Sequence, residues 1–114
     1  MRLLVCGGRN FTDQTKLNST LDRWAKAESI DCVIEGNAPG ADRMAGYWAR
    51  NRHIDNIKFP ADWKKHGRAA GVIRNQQMIN DGCPDVVLAF PGGRGTADLV
   101  RRAREAGIDV CEVT

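Results

Sequence analysis

The chain has 114 residues, of which 42% are hydrophobic and 27% charged, a balance typical of one globular domain and unlike that of a disordered protein. Its formal net charge of +3 suits an anionic ligand but is too small to indicate nucleic acid. No apolar run is long enough to span a bilayer, and residues 7–10 cut the first run too short for a signal peptide. We therefore expect a cytoplasmic protein with no membrane partner.

Short apolar runs alternate along the chain with longer amphipathic segments, which is the pattern of β-α-β units. Strands are predicted at residues 3–6, 32–34, 54–59, 85–90 and 108–113. Between them, helices are predicted at residues 13–28, 41–49, 69–80 and 96–106. This alternation predicts one three-layer α/β domain over residues 1–114, with a parallel sheet covered by helices on both faces.

The first and fourth strands are the most continuous apolar runs, so both are expected at the centre of the sheet. A strand order of 3-2-1-4-5 makes them neighbours, and right-handed crossovers then place helices on both faces. The direction of winding reverses between these two strands. Ligands of open α/β sheets bind at that point, beyond the carboxyl ends of the strands.

Glycines cluster in three of the strand-to-helix loops, and the predicted strand order brings these loops to one edge. Glycine permits positive φ and close backbone approach, and a helix N-terminus offers unpaired N–H groups to a phosphate. A single loop of this kind could equally be a tight turn. The convergence of all three predicts a phosphate site; the glycines are Gly7 and Gly8, Gly36 and Gly40, and Gly92, Gly93 and Gly95.

The cysteines and the segment of residues 60–68 also bear on the chemistry of the chain. The four cysteines are far apart and lack CxxC spacing, so we predict neither a metal site nor a cofactor. Cys6, Cys32 and Cys111 lie in apolar strand segments and are expected to pack as small hydrophobic residues. Residues 60–68 form a polar, basic connection in which Trp63 could stack on a base or pack against the third helix.

Several motifs resemble those of the SLOG superfamily, which includes the Lonely Guy phosphoribohydrolases. Residues 91–96 read PGGRGT and match its PGGxGT motif, and residues 74–78 read RNQQM where the relatives have R-K-x-x-M. Residues 7–11 (GGRNF), 36–42 (GNAPGAD) and 60–63 (PADW) are more similar to the small YspA-like branch. The resemblance covers nearly the whole chain and implies a Rossmann-like fold, a nucleotide-derived ligand and a homodimer, with Trp24, Trp48 or Trp63 as candidate contact residues.

The resemblance carries over the catalytic residues only in part. In Lonely Guy enzymes, the helix arginine and a glutamate within PGGxGTxxE serve cleavage of an N-glycosidic bond. Arg74 meets the arginine position, whereas Leu99 stands at the glutamate position and cannot move a proton. Asp98, one residue earlier, is the alternative acidic group, or else an acid that complements the helix dipole.

Charged side chains near the loops have two interpretations each. Arg9 and Arg94 could pair with phosphate or be solvated. Asp42 could accept a hydrogen bond from a ribose hydroxyl or cap the second helix, and Glu35 is a further ribose or acid–base candidate.

The leading hypothesis is a module that binds a phosphate-bearing nucleotide or nucleotide-derived small molecule as a sensor, carrier or sequestering protein. The alternative is a phosphoribohydrolase or N-glycosidase that uses Arg74 with Asp98 or Glu35. Binding of single-stranded DNA is disfavoured because the basic residues are not interleaved with aromatic ones. The predicted ligand-binding residues are Gly7, Gly8, Arg9, Gly36, Pro39, Gly40, Asp42, Arg74, Asn75, Pro91, Gly92, Gly93, Arg94, Gly95 and Thr96.

Overall fold

The computed structural model describes residues 1–114 and contains one five-stranded parallel sheet. Its order, β3-β2-β1-β4-β5, is the predicted one. The prediction of a doubly wound α/β domain is therefore confirmed. The strands are β1 (Arg2–Cys6), β2 (Cys32–Glu35), β3 (Asp55–Lys58), β4 (Val86–Ala89) and β5 (Asp109–Glu112).

Four long helices lie close to their predicted positions, and a short additional helix was not predicted. The extra helix forms because the Asp62 side chain accepts a hydrogen bond from the Lys65 N–H (3.1 Å), and Gly67, with φ of 56°, ends it. No helix is both long and apolar enough to cross a membrane. The helices are α1 (Gln14–Ala27), α2 (Ala41–Asn51), α3 (Trp63–His66), α4 (Ala70–Asn80) and α5 (Arg94–Glu105).

Alternate residues of the central strands serve two separate cores, which explains why residues 3–6 of β1 are all apolar. Leu3 and Val5 pack in the core that contains residues of α1 and α2. Leu4 and Cys6 pack in the core that contains residues of α4 and α5. The sheet is thus the middle layer of three, and only its carboxyl edge is left to the loops that carry the predicted site.

Two expectations about single side chains are wrong. Trp48 is only 1% exposed, and its indole N–H donates to Asp22 (2.9 Å), so it cannot lie at a dimer contact. Trp24 is partly buried and Trp63 half exposed, so these two stay candidate contact residues of the predicted dimer. Cys111 is exposed because β5 is an edge strand whose sides are only partly covered, unlike those of β1.

The helices differ in how their N-termini are satisfied. Asp13 caps α1 by accepting from the Lys16 N–H (3.0 Å), as Asp62 caps α3. In contrast, α2 and α5 begin after Gly40 and Gly93, and no side chain caps either one. Their first N–H groups need other partners.

Candidate functional site

The three glycine loops touch one another at the carboxyl edge of the sheet. Gly8, in the first loop, bonds to both of the other loops. Its N–H donates to the Pro91 carbonyl (2.9 Å), and its carbonyl accepts from the Ala41 N–H (3.3 Å). A methyl group on Gly8 would lie 3.0 Å from the Pro91 oxygen. One on Gly40, whose φ is 83°, would collide with the Gly8 carbonyl oxygen. The loops therefore meet backbone to backbone, with no room for a side chain.

Beyond β1 and β4 these loops border an open cleft of about 760 Å³, at the point where the winding of the sheet reverses. Ligand pockets commonly have volumes of about 300–1,000 Å³. Twelve of the predicted residues line the cleft: Gly7, Gly8, Arg9, Asp42, Arg74, Asn75, Pro91, Gly92, Gly93, Arg94, Gly95 and Thr96. Gly36 and Pro39 line a smaller neighbouring cavity, and Gly40 and Asp98 line neither.

The loop after β4 lines the cleft and contains a row of unpaired backbone donors. The N–H groups of residues 92–96 donate to no backbone carbonyl and to no side chain of the chain. The first backbone bond of this helix end runs from the Ala97 N–H to the Gly93 carbonyl (3.0 Å). Five successive donors at an uncapped helix N-terminus form an anion-binding surface.

The loop after β2 differs, because its amides are already engaged by the chain's own carboxylates. The Asn37 N–H donates to Glu35 (2.5 Å), and the Ala38 N–H donates to Asp42 (3.4 Å). Glu35 is fully buried and also accepts from the Asn56 side chain (3.2 Å). Glu35 thus shapes the loop from behind and does not line the cleft.

Arg74 and Asp42 lie close together in the wall of the cleft beside Gly36, with Asp42 buried and Arg74 partly buried. Arg74 Nη1 donates to the Gly36 carbonyl (2.5 Å), which ties α4 to the second glycine loop. Burial raises the pKa of Asp42 to about 6, although the positive charge of Arg74 opposes the rise. Burial lowers the pKa of Arg74, and Asp42 opposes that shift. The capping role considered for Asp42 is wrong, because Gly40 occupies the cap position and Asp42 lies inside the first turn.

Asp98 faces the junction of α4 and α5. Its carboxylate accepts from Arg102 Nε (2.8 Å), Arg101 Nη2 (2.9 Å) and Asn75 Nδ2 (3.0 Å). Burial opposes ionisation, but the hydrogen bonds from Arg102 and Asn75 outweigh it and lower the pKa of Asp98. Such a carboxylate is poorly suited to donate a proton. Leu99, only 1% exposed, lines the cleft at the position where the Lonely Guy motif has glutamate.

Asn75 anchors the loop that carries the unpaired amides. Its Nδ2 donates to the Gly95 carbonyl (3.1 Å) as well as to Asp98, and its Oδ1 accepts from Arg74 Nε (3.1 Å). Every polar atom of this side chain is therefore engaged within the protein. Asn75 lines the cleft but acts there by fixing Gly95 and Arg74 in place.

Sequence reasoning missed several residues that line the cleft. Residues 10, 12 and 13 could have been found, since they follow the first glycine loop on the same edge. Met78 lies one helical turn after Arg74 and so shares its face of α4. Cys6 ends β1 beneath the loop, and burial raises the pKa of its thiol, so it remains protonated. Phe11 packs on Phe90, with ring centroids 5.2 Å apart.

Comparison with known proteins gives the family of this chain. Residues 1–66 match the family model described as the YspA, cpYpsA-related SLOG family. The matched range includes the first two glycine loops and the segment that contains Trp63. The Gene 61 protein of Mycobacterium phage D29 is 38% identical in an alignment that covers 96% of this chain and 93% of the phage protein.

Proposed function

The chain belongs to the YspA, cpYpsA-related SLOG family, and from that premise we propose that its cleft binds a nucleotide or nucleotide-derived small molecule by a phosphate group. In this role it acts as a sensor, carrier or sequestering protein. One observation carries the proposal: residues 92–96, whose five N–H groups have no partner in the protein, line the cleft at the uncapped start of α5. A phosphate can accept hydrogen bonds from such a row without displacing any bond of the protein.

The charges around the cleft also favour an anion. Three arginines line it, namely Arg9, Arg74 and Arg94, against two carboxylates. Of these carboxylates, Asp13 is engaged in capping α1, and the pKa of Asp42 is raised to about 6. The balance in the cleft is therefore positive near neutral pH, and guanidinium groups bind phosphate oxygens in a bidentate manner.

Substitutions at Arg94 can separate the contribution of the backbone amide from that of the side chain. Arg94 is the first residue of α5, the helical position that best tolerates proline, and its N–H has no partner to lose. Arg94→Ala removes only the side chain, whereas Arg94→Pro removes the side chain and one donor. A hydrogen bond to a charged group contributes about 1.5–3 kcal/mol, so the proline variant should bind about 10- to 150-fold more weakly than the alanine variant.

Isothermal titration calorimetry with ribose 5-phosphate and nucleoside monophosphates measures this difference. The proposal expects binding to the wild type, weaker binding to Arg94→Ala and the weakest to Arg94→Pro. Equal affinities of the two variants, or no binding of any phosphorylated compound to the wild type, would contradict it. Urea unfolding of both variants checks that each is folded under the conditions used.

Hydrolysis of an N-glycosidic bond is the second candidate function, and the position of Asp42 favours it. This carboxyl lines the cleft with a pKa of about 6, so a minor fraction of it is protonated at neutral pH and can donate the proton to a leaving base. Water would add to the sugar carbon as the bond to the base breaks. Incubation with nucleoside monophosphates should then release free base, and Asp42→Asn should slow the release at least 100-fold, within the range of about 10²–10⁴ for acid–base catalysis. If the wild type releases no base, this second function is refuted.

A further inference from the structure

A second, smaller cavity adjoins the cleft and has a different chemical character. Its volume is about 290 Å³, and it lies between the second glycine loop and the start of α3. Arg9 and Arg74 line both spaces, so the two adjoin at these side chains. No acidic residue lines the smaller cavity; Asn37, Arg43 and Trp63 complete its polar and aromatic wall.

Trp63 is the most unusual of these residues, because its large aromatic ring is 51% exposed beside a polar cleft. A methyl group added at Gly71 would lie 3.6 Å from the ring, so Trp63 packs over α4 at a site that has no side chain. The Arg9 guanidinium lies 5.9 Å from the ring centroid, at the outer limit of a cation–π contact. The Asp62 cap at the start of α3 fixes the position of the ring. An aromatic surface is thus held in place and left largely uncovered.

The path from the unpaired amides to this ring is short. Gly8 touches the loop after β4 through its hydrogen bond to Pro91 (2.9 Å), and the next residue, Arg9, reaches Trp63. A ligand whose phosphate lies on the α5 amides can therefore extend across Gly8 and Arg9 to the smaller cavity. Phe11 is the aromatic side chain that lines the cleft itself, and it is already packed against Phe90.

We propose that the smaller cavity is the base subsite, in which the base of a nucleotide stacks on Trp63 while its phosphate lies at the start of α5. The inference rests on the proposed function and adds to it a second contact, which distinguishes a nucleotide from a ribose phosphate that lacks a base. Stacking of a base on an aromatic side chain tolerates different bases, because every base has a π face. Trp63 therefore selects for the presence of a base more than for its identity.

Calorimetry can separate the base subsite from the phosphate site. Wild type, Trp63→Ala and Trp63→Phe are titrated with ribose 5-phosphate and with AMP, GMP, CMP and UMP. At least one nucleotide should bind more tightly than ribose 5-phosphate. Trp63→Ala should weaken the binding of that nucleotide by about 5- to 150-fold and leave the binding of ribose 5-phosphate unchanged. Trp63→Phe should retain most of the gain in affinity of the nucleotide over ribose 5-phosphate. Tyr47→Ala is the matched control, since Tyr47 is 59% exposed on α2 and lines neither cavity.

Each other outcome overturns the inference. If ribose 5-phosphate binds but no nucleotide binds more tightly, the protein has no base subsite. If the gain survives in Trp63→Ala, or is lost in Phe11→Leu instead, the base lies elsewhere in the cleft. If neither ribose 5-phosphate nor any nucleotide binds the wild type, the proposed function itself fails and the inference fails with it. Fluorescence gives a second measurement: nucleotide should change the emission of the wild type, and Trp63→Phe should abolish that change.

Discussion

Two glycines with nearly identical backbone angles allow a test of how tightly the loops meet. Gly40 has φ of 83° and ψ of −132°, and Gly67 has φ of 56° and ψ of −131°. A methyl group at Gly40 would collide with the Gly8 carbonyl oxygen and lie 2.7 Å from that of Arg9. One at Gly67 would meet nothing within 4 Å. Alanine therefore imposes backbone strain at both positions but steric overlap only at Gly40.

The expected energies follow from this difference. Backbone strain of this kind costs about 1–3 kcal/mol and should lower the free energy of unfolding of both variants. Overpacking costs about 1–3 kcal/mol more, so Gly40→Ala should be the less stable variant by about that amount. Because the overlap displaces the backbone of Gly8 and Arg9, Gly40→Ala should also weaken the binding of ribose 5-phosphate.

Urea unfolding followed by circular dichroism measures the stability of the two variants, and calorimetry measures their affinity for ribose 5-phosphate. Gly67→Ala serves as the control, with unchanged affinity for ribose 5-phosphate. Equal loss of stability in the two variants would refute the close contact between the loops. Unchanged affinity in Gly40→Ala would show that the geometry of Gly8 and Arg9 does not matter for the phosphate.

Two further predictions concern the polar side chains behind the cleft. Asp42 has a pKa of about 6 in the folded protein and about 3.9 when unfolded, so the folded state binds its proton more tightly. Protonated Asp42 therefore adds up to about 3 kcal/mol to the free energy of unfolding below about pH 4. This contribution is lost as the pH rises through 6. In urea unfolding between about pH 4 and 8, Asp42→Asn should remove this fall in the free energy of unfolding. An unchanged pH dependence would argue against a raised pKa of Asp42. Asn75→Ala should cost about 1–3 kcal/mol in urea unfolding, because the Gly95 carbonyl and Asp98 lose a donor, and should weaken phosphate binding. Unaltered stability and affinity would show that Asn75 does not anchor the loop.

The strand order and the edge that carries the cleft could be predicted because they depend on simple patterns. Residues 3–6 of β1 and all of β4 are apolar, as is typical of strands covered on both faces. Glycine clusters after β1, β2 and β4 then had to share one edge of a parallel sheet. The position of α3 was not predicted, since four residues are too few for helical periodicity, and its only local signal is the Asp62 cap.

The roles of individual acids could not be predicted, because tertiary contacts decide them. Glu35 ends β2 and Asp42 lies in the first turn of α2, on either side of the same loop, yet Glu35 is sealed behind the loop and Asp42 lines the cleft. Asp98 stands next to the position expected for a catalytic acid, but Arg101, Arg102 and Asn75 engage it. The sequence contains no pattern that reports which side of α5 faces α4.

Amide resonances of the loop after β4 test the central claim most directly. In proton–nitrogen correlation spectra, titration with ribose 5-phosphate should shift the amides of residues 92–96, whose N–H groups have no partner in the protein. The amides of Asn37 and Ala38, which donate to Glu35 and Asp42, should move much less. If saturating ligand leaves residues 92–96 unshifted while other amides move, the phosphate does not bind at the start of α5 and the account is wrong.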